Sequence, residues 1–278
     1  MSATAATAAT ATATTAAAAA AETEQRVPNT GLVSADHLRR FREDGFFVLD
    51  AAIGAAHLAM LREECAAFIE KEHGEMDRLG VDQRGLNYRG KRYFISCRYA
   101  ESARLADFIF SPLMAEICQA TLGPEAFLFH EQYVVKAAEQ GMKFSWHQDS
   151  GYVGHDHRPY LTTWCALDDM TEENGTVYML PYERAGGKTR VEHWRDTDTT
   201  DLIGYGGDDP GVPVICPAGS IAVFSSTCFH RSGFNRTKNM RRVYLPQYSA
   251  EPIYAKDGSK LWRFAVPFIM DGRIVYRG

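Results

Sequence analysis

Hydrophobic positions recur at helical spacing in the first half of the chain and at strand spacing in the second. Ser34-Ala-Asp-His37 opens a first helix: Ser34 can cap it, Leu38 and Phe41 share one face, and Gly45 stops it. Phe46–Leu49 reads as a short strand. Leu58, Leu61, Cys65 and Phe68 then define a second helix, from about Ala55 to Lys71. The Gly- and Arg-rich stretch Gly74–Lys91 reads as loop. Two short helices fill Ala103–Leu122, joined near Ser111-Pro112 and ended by Gly123-Pro124. From Ala126 onward the pattern is short β-rich segments: Phe127–Val135, Tyr160–Leu167, Thr176–Leu180, Val212–Cys216, Ile221–Phe229 and Val243–Tyr248. Turn residues separate them, among them Glu173-Asn174-Gly175 and Pro217-Ala218-Gly219. Helices followed by a run of antiparallel strands predict an α+β domain built round a β-barrel or jelly roll. No repeat at a fixed period and no Pro- or Ser-rich linker marks a second domain, so residues 31–278 are read as one domain. Residues 1–30 begin with a run of almost pure Ala and Thr, read as a disordered low-complexity tail.

Composition narrows the partners. The 278 residues are 45% hydrophobic and 23% charged, ordinary for a folded enzyme. Net charge is -5 with no basic stripe, which speaks against nucleic acid or an anionic membrane. The apolar segment Val214–Ser226 is interrupted by Pro217 and Gly219 and is too short to span a bilayer. The six cysteines (65, 97, 118, 165, 216 and 228) form no CxxC pair and are read as buried, reduced hydrophobes. That points to a reducing, cytoplasmic compartment.

The chemistry is concentrated at His147-Gln148-Asp149. In a strand, residues i and i+2 face the same way, so the imidazole and the carboxylate can converge on a metal. Such triplets also arise by chance. His230, at the end of the apolar run Ile221–Phe229, would complete a 2-His-1-carboxylate face that leaves adjacent positions open on iron(II). A closed zinc site would need a fourth ligand, usually Cys, and none has the spacing. Arg241 follows His230 across a turn-forming stretch. Its strand is expected to fold back antiparallel to the one ending at His230, bringing a fork of donors suited to a carboxylate beside the metal. If Arg241 points inward, Val243 and Leu245 share its face and Arg242 points away.

With these residues in place, the chain resembles the phytanoyl-CoA dioxygenase family. The resemblance runs through Phe41–Leu49, His147-Gln-Asp149, Trp164–Gly175, Pro217–Ser220, His230-Arg-Ser232 and Arg241, roughly residues 34 to 252. It implies a double-stranded β-helix and an oxygenase that uses Fe(II), 2-oxoglutarate and O2 to oxidise a small-molecule substrate, releasing succinate and CO2. It also implies that His147, Asp149 and His230 bind iron, and that Arg241 and Ser232 hold the far carboxylate of 2-oxoglutarate. Trp164 and Gln132 would line the co-substrate pocket. Because halogenating relatives lack the carboxylate of Asp149, its presence implies hydroxylation or a related oxidation.

One departure stands out. Where many members continue with a Pro-Gly-Ser-His turn, this chain reads Pro181-Tyr-Glu-Arg184, expected near the rim of the site. No basic cluster suits the phosphates of CoA, which favours a free small molecule. Tyr152, His155 and His157 are expected on a loop over the site, and Arg92 and Tyr93 form a second candidate wall. Two rival readings share the barrel: a cupin-like metalloenzyme that does not use 2-oxoglutarate, and a non-catalytic metal- or ligand-binding protein. Arg241 with Ser232 argues against the first, and the intact triad against the second.

Overall fold

A computed structural model of the chain describes residues 25–139, 142–197 and 201–277. Helix α1 (Ala35–Glu43) starts at Ser34, whose hydroxyl accepts from the N–H of His37 while the His37 ring accepts from the N–H of Ser34. Strand β1 (Phe46–Leu49) follows, then α2 (Ala55–Leu79), which runs well past the expected end. The reason is that its buried stripe continues through Ile69, Glu72 and Met76. Glu72 is a buried anion there, and Arg84, Asn87 and Arg98 all donate to it. The stretch read as loop therefore holds the last turns of α2 and two short strand pieces, Gln83–Arg84 and Asn87–Tyr88. After β2 (Arg92–Ser96) come α3 (Ala103–Ile109) and α4 (Pro112–Leu122), separated at Ser111 as expected. The remaining barrel strands are β3 (Ala126–Lys136), β4 (Phe144–His147), β5 (Leu161–Ala166), β6 (Val177–Leu180), β7 (Ile221–Ser225), β8 (Phe229–Ser232), β9 (Arg241–Ser249) and β10 (Val266–Met270).

These strands form two antiparallel sheets, a jelly-roll sandwich with flanking helices. In the large sheet the order is β1, β7, β5, β9, β3, and β3 then pairs with both β2 and β10. The small sheet runs Val212–Pro213, β6, β8, β4. Period-two alternation divides the large sheet cleanly. Tyr133, Val135, Cys165, Val223 and Tyr244 face the helices, where Leu61, Phe68, Phe108 and Ile117 cover them. Val134, Trp164, Ala222, Val243 and Leu245 face inward, against Val177 and Met179 of the small sheet.

Several expectations need correction. The run Ile221–Phe229 is two strands in different sheets, because Ser226–Cys228 turns between them and buries its hydroxyls: that of Ser226 bonds Ser150 and the N–H of Tyr160, and that of Thr227 bonds Tyr182. Consequently β8 and β9 do not form a hairpin: β9 pairs with β3 and β5, across the sandwich from β8. Residues 25–30, assigned to the tail, are held: Gln25–Arg26 pairs with Arg273–Ile274, and Thr30 donates to Glu116. The rest of the tail lies outside the described residues. Five cysteines are buried as expected, but Cys97 is exposed, at a positive φ of 63°. No single described helix is long and apolar enough to cross a membrane.

Candidate active site

His147 ends β4 and His230 stands directly opposite it on β8. The two rings lie 4.2 Å apart, tilted by 55°. Asp149 joins them by a different route from the one expected. The strand stops at His147, and Asp149 sits in a helical conformation (φ -58°, ψ -35°) at the start of a short helix, α5 (Ser150–Val153). A turn, not strand alternation, brings its carboxylate round, and that carboxylate does not cap α5. One ligand atom from each of the three residues lies within 4.8 Å of the others.

The surroundings of the three residues decide what they can hold. Nδ1 of His147 is 2.8 Å from its own strand's Ser145 carbonyl, and Nδ1 of His230 is 3.1 Å from that of Cys228. Each ring nitrogen that meets a carbonyl must carry the proton, which leaves both Nε2 lone pairs facing the gap. Burial, and then the nearby His230, push the His147 imidazole down to about 4, so it is neutral near pH 7. Asp149 turns Oδ1 toward Nε2 of His230, 3.6 Å away. Its Oδ2 accepts from Thr162 at 2.7 Å and from Gln247 at 3.0 Å. Two imidazoles that turn Nε2 to the gap and one fixed carboxylate fit a divalent metal with open positions, and do not fit a closed structural zinc site.

Between these residues Gln148 points the other way, fully buried. It donates to the carbonyls of Thr189 and Thr227 and accepts from the N–H of Val191, tying the segment 189–191 to the back of the site.

The site opens into a cavity of about 660 Å3 between the sheets. Arg241, Trp164, Gln132 and Ser232 all reach it. Arg241 points inward with Val243 and Leu245, while Arg242 turns outward and pairs with Asp168 at 2.6 Å. The Arg241 guanidinium lies 5.8 Å from the centre of the Trp164 ring. Its Nη2 donates to the carbonyl of Gly175, but Nε and Nη1 have no partner among the described residues. Burial lowers its pKa to about 10, which still leaves it charged. A permanently charged, buried fork with open donors is a site for an anion.

Gly175 makes this approach possible. At φ +75° any side chain there would be strained, and a Cβ would stand 2.5 Å from the carbonyl oxygen of Gly233. Ser232 is shared: its hydroxyl accepts from Nζ of the buried Lys136 at 2.8 Å.

The proposed substrate walls divide. Arg92 and Tyr152 line the cavity, Tyr152 with its ring edge-on to His147 at 5.7 Å. Tyr93 does not, because adjacent strand residues face opposite ways: it is buried on the helix side, with its hydroxyl on His73 and Gly90. His155 and His157 also miss the cavity. Gly154 reverses the chain after α5, so His155 lies near the carbonyl of Tyr254 and His157 near Ser150. The Pro181–Arg184 departure is not at the rim: Tyr182 packs over Gly45 and bonds Thr227, away from the cavity. Sequence reasoning missed Thr162, Gln247, Lys136 and His130. Strand parity with Trp164 and Leu245 was the available signal for the first two.

Comparison with known proteins agrees with this geometry. The family model for phytanoyl-CoA dioxygenase (PhyH) matches residues 41–243. A curated relative, the multifunctional dioxygenase prhA of Penicillium brasilianum, is 26% identical over 235 residues, 80% of this chain and 73% of that one. Among solved structures, the alpha-ketoglutarate-dependent carbocyclase SnoK from nogalamycin biosynthesis superposes with a TM-score of 0.63 at 17% identity, covering 88% of this chain and 96% of that one. EvdO2 from Micromonospora carbonacea var. aurantiaca, complexed with 2-oxoglutarate, superposes at 0.60 with 24% identity, covering 82% and 95%. These two likenesses concern the fold. The chain belongs to the phytanoyl-CoA dioxygenase family and is an iron(II)- and 2-oxoglutarate-dependent oxygenase.

Proposed function

We propose that this oxygenase hydroxylates, or otherwise oxidises, a free small molecule, with His147, Asp149 and His230 holding the iron and Arg241 holding the far carboxylate of 2-oxoglutarate. The observation that carries the reading is the convergence of three ligand atoms within 4.8 Å, with both Nδ1 atoms already engaged behind them. When bound, iron and 2-oxoglutarate supply the activation of dioxygen, with release of succinate and CO2. The chain's own residues orient and exclude. Ser145 and Cys228 fix the imidazole tautomers, while Thr162 and Gln247 fix the carboxylate. Trp164 and Gln132 wall the co-substrate side, and Ser232, held by Lys136, stands ready beside Arg241. Tyr152 shields His147 on the open side. Residues 31–278 are taken as one oxygenase domain, working in a reducing, cytoplasmic compartment without nucleic acid or membrane as partner.

The test is substrate-dependent succinate release. Protein reconstituted with iron(II), 2-oxoglutarate and dioxygen is screened against candidate small molecules, with His230→Ala as control. Succinate formation that needs both iron and the His230 side chain is expected. Oxidation of a substrate without succinate would favour the cupin-like reading, and binding without oxidation would favour a non-catalytic barrel.

A further inference from the structure

Three cationic side chains stand side by side on the inner face of the large sheet. Lys136 of β3 is in register with Arg241 of β9 on one side and with Arg92 of β2 on the other. All three are buried. Adjacent strands lie about 4.8 Å apart, so the row spans about 10 Å of backbone. Like charges packed this closely, out of water, need compensation.

Each member solves this differently. Lys136 directs its donors to neutral oxygens of Ser232, Gly175 and Gly233, and burial together with Arg241 pushes its pKa well below the ordinary value. Lys136 is thus the member that can relieve the row by giving up its proton. Arg241 would be met by the far carboxylate of 2-oxoglutarate. Arg92 remains. It is 2% exposed, and Nε and Nη1 have no hydrogen-bond partner among the described residues. The rings of Tyr88, Phe94 and Phe144 surround its guanidinium at 5.0, 5.7 and 5.6 Å, which fixes its position. The carboxylate of Asp201 comes only to 4.0 Å from Nη1, beyond hydrogen-bond reach. A guanidinium cannot shed its charge as Lys136 can.

The co-substrate does not satisfy Arg92 as well. On the assignment above, its far carboxylate would be held by Arg241 and its keto-acid end at the metal site. Of the other arginines lining the cavity, Arg84 and Arg98 share Glu72 and Arg231 lies over the rings of Trp146 and Tyr178, while Arg195 and Arg263 are exposed, where water screens their charge.

We propose that Arg92 binds an acidic group on the molecule being oxidised, so that the substrate is a small organic acid carrying a carboxylate or a phosphate. This rests on the assignment of Arg241 to 2-oxoglutarate made above. The planar fork of Arg92 suits either oxyanion bidentately.

The experiment uses the full chain loaded with manganese(II), which holds the site without turnover, and saturated with 2-oxoglutarate. It is titrated by calorimetry with phenylacetate, phenyl phosphate and the neutral phenylacetamide. The expected result is one saturable site for at least one of the acids and none for the amide; which acid binds tells carboxylate from phosphate. Arg92→Gln weakens that site roughly tenfold or more, the scale of one charge-assisted contact. Arg92→Lys retains part of it. Both variants keep 2-oxoglutarate affinity within about twofold of wild type, which also reports that they fold. The inference is overturned if the 2-oxoglutarate complex takes up neither acid, if the amide binds as well as the acids, or if Arg92→Gln leaves acid binding unchanged. It is equally overturned if Arg92→Gln weakens 2-oxoglutarate as much as the probe, which would make Arg92 a co-substrate ligand. Failure of the wild-type protein to bind 2-oxoglutarate at all would instead sink the assignment of Arg241.

Discussion

Thr162 donates a 2.7 Å hydrogen bond to Oδ2 of Asp149, and this contact selects which carboxylate oxygen faces the histidines. Gln247 donates to the same oxygen at 3.0 Å and to the Thr162 hydroxyl at 3.0 Å, closing a triangle of buried polar groups. Oδ1 is thereby the oxygen left to meet Nε2 of His230 across 3.6 Å. Thr162 and Gln247 lie on neighbouring strands of the large sheet, whereas the histidines come from the small sheet. The metal position is therefore clamped from both layers of the sandwich.

Thr162→Val and Gln247→Leu are expected to weaken iron(II) binding and activity by about 10- to 100-fold, the usual effect of removing a partner that orients a metal ligand. Anaerobic metal titration checks the affinity directly. Equal iron affinity in both variants would show that Asp149 needs no support from the large sheet.

Arg241→Lys is expected to raise the Kd for 2-oxoglutarate by about tenfold or more, because a bidentate fork becomes a point charge. Arg241→Met should abolish co-substrate binding and yet raise or preserve the melting temperature of the ligand-free protein. Nε and Nη1 of Arg241 are buried without partners among the described residues, so the wild-type residue costs stability until an anion arrives. Thermal unfolding with and without 2-oxoglutarate measures both effects. A large loss of stability in ligand-free Arg241→Met would contradict the account.

What could be read from sequence was set by alternation. Both faces of these strands are buried, but Trp164, Arg241, Val243 and Leu245 alternate in direction with Cys165 and Tyr244, so the inward face of β9 and the outward turn of Arg242 were legible in advance. The three residues of the candidate metal site were legible by type and order. The path of the chain between them was not. Asp149 leaves strand geometry because α5 begins there, and a short helix of Ser-Gly-Tyr-Val carries little helical signal. The length of α2 was hidden by Glu72, a charged residue on the buried stripe whose partners come from Arg84, Asn87 and Arg98. Gly74, exposed within α2, costs that helix only about 1 kcal/mol, which the buried stripe outweighs. The break at Ser226–Cys228 was hidden because its hydroxyls are satisfied by tertiary partners, Ser150 and Tyr160 for Ser226 and Tyr182 for Thr227, that no local pattern reveals.

His130 lines the cavity, and burial, followed by Arg263, pushes its imidazole down to about 4. Its unfolded value is near 6.5, so the unfolded chain takes up a proton first as pH falls. The folded state should therefore lose stability between about pH 6.5 and pH 4, with no contribution of this kind above that window. His130→Gln removes the titrating group and should flatten that part of the profile. Urea denaturation of metal-free protein across this range checks it; an identical slope in the variant would remove His130 as the source.

Asp149 decides between two outcomes of oxidation. A carboxylate at this position fills an iron site that a halide would need, so wild-type protein supplied with iron(II), 2-oxoglutarate, chloride and an accepted substrate should give oxygenated or desaturated product and no chlorinated product. Asp149→Ala removes a charged ligand and one of three protein anchors for the metal, and activity should fall by at least about 100-fold. Chloride is not expected to rescue that variant. The donors of Thr162 and Gln247, bonded to Oδ2 in the wild-type protein, could meet a halide in the vacated space, but binding a halide is not enough to transfer it. Transfer of a halide also requires the substrate hydrogen to be held nearer the halide than the oxygen. Product masses settle the matter. Chlorinated product from the wild-type protein would overturn the assignment of Asp149 as an iron ligand, and undiminished oxidation by Asp149→Ala would show that two histidines suffice.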